Sequence, residues 1–94
     1  MLFKKEELGI INTLIDAQFD NSTGQFRARG VDISNRVNSI EIYKKIYTHV
    51  VDGIFTDGDV EFNPQEKEYL KNIFKETLPA EFVRKIADIL PKIE

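Results

Sequence analysis

Leu8, Ile11, Ile15 and Phe19 recur in steps of three and four, and Ile10, Leu14 and Ala17 widen the same face. Apolar residues at that spacing share one side of a 3.6-residue helix, so the pattern predicts a helix over about 3–19. Gly9 lies inside it at a cost of roughly 1 kcal/mol relative to alanine. No serine or aspartate caps its start, so the first turn is expected to fray, although Glu6 and Glu7 suit the positive end of the dipole.

The longest periodic stretch lies further on. Asp32 or Ser34 supplies an N-cap, and Val37, Ile40, Tyr43 or Lys44, Tyr47, Val51 and Ile54 step down one face, flanked by Ile46 and Val50. This predicts a helix over about 33–55 with that stripe turned inward. Several of its residues are β-branched, so packing rather than intrinsic propensity must hold it. Gly53 weakens its end.

Asn63-Pro64-Gln65-Glu66 is a helix start: an N-cap, a proline at the first helical position, and a glutamate that completes a capping box. The third helix is expected to run to about 77 with Leu70, Ile73, Phe74 and Thr77 inside. Pro79 restarts the chain as a fourth helix presenting Phe82, Ile86, Ile89 and Ile93, with Val83 and Leu90 beside them. Pro91 disfavours helical geometry at Leu90, so regular helix is expected to end near there.

Two short runs alternate with period two instead. Residues 25–30 and 60–62 each follow a glycine-containing turn, 20–24 and 56–59. Pairing 26–29 with 60–62 would satisfy both backbones and set Arg27 and Arg29 near Asp59 and Glu61. The expected architecture is therefore mainly α. It is a compact four-helix arrangement in a single domain over 1–94, with a short two-stranded β-ribbon formed by the two longer loops. Leu14, Ile15, Val37, Ile40, Tyr47, Val51, Leu70, Ile73, Phe74, Phe82, Ile86 and Leu90 are expected in the core.

Composition narrows the chemistry. The net charge of −3, from 13 basic and 16 acidic residues, has the wrong sign for a general nucleic-acid binder. Absence of cysteine removes a disulfide framework and any thiolate metal site. No apolar run approaches the ~18 residues of a membrane span, which leads to the expectation of a soluble cytoplasmic protein without a membrane partner.

Asp57, Asp59, Glu61 and Glu68 fall at positions 1, 3, 5 and 12 of a calcium-loop count. Position 6 needs glycine for its sharp turn and here is Phe62, so no metal and no cofactor is expected. The only histidine, His49, stands in no nucleophile motif, and Tyr43 and Tyr47 read as core-edge residues, so catalysis is not expected. Asn35, Arg36, Asn38, Lys44 and Lys45 resemble the exposed set of a recognition helix, but Glu41 sits among them.

Two functional readings remain. The first is a non-catalytic interaction module that binds another protein or a second copy of itself. Phe26, Phe55 and Phe62, at or near loops, are its candidate contacts. The second is a small-anion or nucleotide binder using Arg27, Arg29 and Arg36 beside the N-terminus of the second helix. The size, helix count and acidic balance resemble those of bacteriocin immunity proteins of Gram-positive bacteria and of small phage-encoded inhibitors of host factors. That resemblance rests on architecture and on no residue motif, so it carries no function across; the adaptor, inhibitor or immunity-type reading rests on the lack of a catalytic motif and on the aromatic residues near the loops.

Overall fold

The computed structural model describes residues 1–94. The chain runs β1 (Leu2–Phe3), α1 (Lys5–Asp16), β2 (Ala17–Asp20), β3 (Gln25–Ala28), α2 (Ile33–Tyr47), β4 (Val50–Val51), β5 (Ile54–Phe55), β6 (Gly58–Asp59), α3 (Pro64–Phe74) and α4 (Ala80–Ile93). Helices hold 55% of the residues and strands 17%, so the fold is mainly α without being a plain bundle. Helix α1 is the hub, packing on α2, α3 and α4. Its Leu8, Ile11, Leu14 and Ile15 are fully or almost fully buried, with Ile42 and Ile46 of α2, Leu70 of α3, and Ile89 and Ile93 of α4.

The start of α1 is better held than its sequence suggests. The Glu7 carboxylate accepts the Lys4 N–H at 2.7 Å, and Asp57, far along the chain, accepts the Lys5 N–H at 2.8 Å. Two of the orphan donors of the first turn are thereby satisfied.

The expected ribbon between 26–29 and 60–62 does not form. Strand β3 pairs with β2 in the register Ala17↔Ala28, Gln18↔Arg27, Phe19↔Phe26, Asp20↔Gln25. The first helix therefore stops at Asp16, and Phe19 belongs to a strand. The turn between them is closed by Gly24 N–H donating to Asp20 O at 2.8 Å, with Gly24 at φ +72°. A hairpin closed over four residues loses far less chain entropy than a pairing across thirty, which is why the local partner wins. Residues 60–62 form no strand; Val60 and Phe62 insert separately into the core, while β6 pairs with β1.

The second helix is also shorter than its periodicity predicts. It ends at Tyr47, and 50–55 fold into the β4–β5 hairpin, with Val50↔Phe55 and Val51↔Ile54 as partners. Asp52 and Gly53 both have positive φ, +52° and +75°, the two-residue turn that matches strand twist. Asp-Gly between apolar pairs is its direct sequence signal; the helical spacing of Tyr47, Val51 and Ile54 masked it.

The face of α2 is reversed as well. Ser39, Ile42 and Ile46 are buried, while Val37, Ile40, Tyr47 and, beyond the helix, Val51 are exposed. The inner side is the more polar one because α3 answers it with polar groups. Ser39 Oγ donates to Tyr69 Oη at 2.9 Å, and Lys45 pairs with the buried Glu66. Helix α3 starts as expected: Asn63 and Glu66 exchange both bonds of a capping box at 2.8 Å. Helix α4 continues through Pro91 to Ile93. The lost N–H is tolerated because Ile93 is fully buried and Lys92 binds Glu7 in the last turn.

Candidate functional site

Arg29 and the N-terminus of α2 do meet. They border a cleft of about 200 Å³ with Asp32, Asn35, Tyr69 and Glu76, while Arg27 and Arg36 lie outside it. The Arg29 guanidinium is already engaged. It donates two bonds to the Glu76 carboxylate at 2.7 and 2.8 Å, and further bonds to Leu14 O at 2.9 Å and Ala17 O at 3.1 Å. The Glu76 bonds hold this arginine's pKa above its ordinary value, burial opposing them.

The helix N-terminus is likewise filled from within. Asp32 accepts the Asn35 N–H at 2.9 Å and the Ser34 hydroxyl at 2.8 Å, and these bonds, Ser34's first, push its pKa below the usual carboxylate range. Arg27 pairs across the β2–β3 ribbon with Asp20 rather than with Asp59 or Glu61. A guanidinium and a helix end that already hold carboxylates present little net positive potential to an external anion.

The acids counted as a calcium loop diverge. Asp57 caps α1, Asp59 and Glu61 turn to the Met1 amine, and Glu68 lies exposed on α3. No group of three or more His, Asp or Glu side chains converges on a point where an ion could sit. The His49 ring packs over Gly58, and its Nε2 lies 3.0 Å from Asp59 O; no serine or threonine hydroxyl bonds to it. A second cleft, about 340 Å³ between the start of α1 and the end of α4, is lined by Lys4, Lys85 and Lys92 against Glu6, Glu7 and Asp88. Three cations offset three anions there, with no apolar wall of the kind that encloses a small molecule.

The three phenylalanines expected at a contact surface serve the core. Phe62 is buried with its ring edge-on to Phe3 at 5.7 Å. Phe26 bridges Phe19 and Phe82, each at 5.2 Å. Phe55 packs on the core and on Tyr47.

The apolar surface lies on the outer side of α2. Nine large apolar residues are exposed in the whole chain, and six of them, Ile33, Val37, Ile40, Tyr47, Val51 and Ile54, fall between positions 33 and 54. Ile33 is 79% exposed and Val37 65%, on a helix that packs on α1 and α3 by its opposite face. The helical spacing picks out all of these but Ile33 as one stripe, which it assigns to the interior. Scattered exposed hydrophobics are ordinary; a row of them along one helix face, broken only by Lys44, is not.

No helix is long and apolar enough to cross a membrane. No protein-family model, no curated protein and no solved structure matches the chain.

Proposed function

We propose that this chain is a non-catalytic protein–protein interaction module, of the small adaptor, inhibitor or immunity type, that meets another protein or a second copy of itself through the outer face of α2. The observation that carries the reading is the stripe Ile33, Val37, Ile40 and Tyr47, exposed on a helix whose other face is fully engaged in the core. An apolar helix face with i, i+4, i+7 anchors is a common recognition surface between proteins. The anion-binding alternative loses ground because Arg27 and Arg29 already have carboxylate partners and Arg36 stands apart from the cleft.

Affinity capture with the wild-type chain and with Ile40→Glu tests the proposal. The expected result is a stoichiometric partner, either a different protein or an untagged second copy of the chain, retained by the wild type and lost with the variant. Recovery of no protein, together with a thermal shift on adding phosphate or nucleotide, would overturn it.

A further inference from the structure

We propose that the occupant of this face is a second copy of the chain, seated as a parallel, in-register pair of α2 helices about a two-fold axis. The proposal rests on the interaction-module reading and names its partner.

Ile33, Val37, Ile40, Lys44 and Tyr47 are spaced by four, three, four and three, the seam of a two-heptad helix pair; at its end the Tyr47 hydroxyl donates to Asn12 Oδ1 of α1 at 2.9 Å while 46% of the residue stays exposed. Arg36 and Glu41 flank that seam on opposite sides. In a parallel pair, residues placed this way and five apart in sequence face each other across the seam. Arg36 of each copy then meets Glu41 of the other, and the two-fold axis makes the ion pair twice. Arg36 has no ion pair within its own chain, and Glu41 has only the exposed Lys44 at 3.3 Å.

In the antiparallel alternative each flank of the seam faces the same flank of the other copy, so Arg36 and Glu41 do not meet and both ion pairs are lost. The parallel pair places Lys44 against its own symmetry mate once. The Lys44 side chain is 69% exposed and long enough to carry its ammonium out of the seam. A single lysine within such a seam selects register and copy number at some cost in affinity.

The parallel arrangement also brings both β4–β5 hairpins, each with Val51 and Ile54 exposed, to the same end of the axis. From their fractional exposures, the four seam hydrophobics leave on the order of 500 Å² per copy and the hairpin pair on the order of 200 Å², against ~800 Å² per partner in a standard interface.

Sedimentation velocity from micromolar to millimolar chain tests this. The wild type is expected to pass from monomer to dimer, and Ile40→Glu to stay monomeric with an unchanged circular dichroism spectrum. Arg36→Glu and Glu41→Arg should each weaken the dimer about tenfold, and the double charge swap should restore most of that loss. Lys44→Ile should tighten the dimer about tenfold.

A dimer indifferent to Ile40→Glu, or one that the charge swap does not rescue, would overturn the parallel pair. So would a wild type that is monomeric at millimolar concentration. If that monomer still captures a different protein through Ile40, the interaction-module reading stands without this proposal. If it captures none, both fall.

Discussion

Arg29 ties together three parts of the chain that no local pattern connects. Its guanidinium binds two carbonyls at the end of α1 and a carboxylate 47 positions away, just past α3. With 8% of its side chain exposed, removing it strands Glu76 and two carbonyls. Arg29→Ala is therefore expected to lose about 3 kcal/mol of unfolding free energy, measured by urea denaturation, and more than Arg27→Ala at its exposed ribbon pair. In the sequence, Arg29 beside Gly30 reads as an anion site because Leu14 O, Ala17 O and Glu76 are invisible there.

Asp32 gives a second test at this scale. Its folded pKa is depressed, so its contribution is present above the unfolded value near 3.8 and is lost as the pH falls through the lower folded value. Asp32→Asn keeps a good N-cap but does not titrate. The variant should match the wild type near neutral pH and show a shallower loss of urea midpoint below about pH 4.

Among the elements, α2 decides the most. It carries apolar residues on two faces, Val37 and Ile40 on one, Ile42 and Ile46 on the other, and helical periodicity alone cannot choose between them. The choice comes from α3, whose Tyr69 and Glu66 accept the polar residues of the inner side. Val37→Ser and Ile40→Ser should each change stability by less than about 0.5 kcal/mol at low micromolar concentration, where the monomer is measured. Ile42→Ala, at a fully buried position, should cost about 2–5 kcal/mol by the same denaturation assay. The opposite ranking would mean the helix is rotated.

At the scale of the whole molecule, the first strand locks the fold. Strand β1 pairs with β6, and Phe3, fully buried, meets Phe62 edge-on while the Lys92 ammonium of α4 lies 5.6 Å from its ring centre. One side chain thus joins the beginning, the middle and the end of the chain. Phe3→Ala is expected to lose about 3–5 kcal/mol, seen as a large fall in thermal midpoint. For a domain whose total stability is on the order of 5–14 kcal/mol, that leaves it near the limit of folding.

The residues of the sequence by themselves determined the four helices, the α3 capping box, the inner faces of α1, α3 and α4, and the apolar stripe of α2 as a stripe. Each depends on interactions within a few positions, which composition and spacing express directly. The tertiary structure alone decided three things: which side of α2 is buried, that residues 17–20 pair with 25–28, and which acids hold Arg27 and Arg29. All three are competitions between partners of similar local merit. Phe19 fits a helix face or a strand equally well, and an arginine accepts any nearby carboxylate. Such ties are broken by what the rest of the chain brings alongside, and that is a property of the packed molecule.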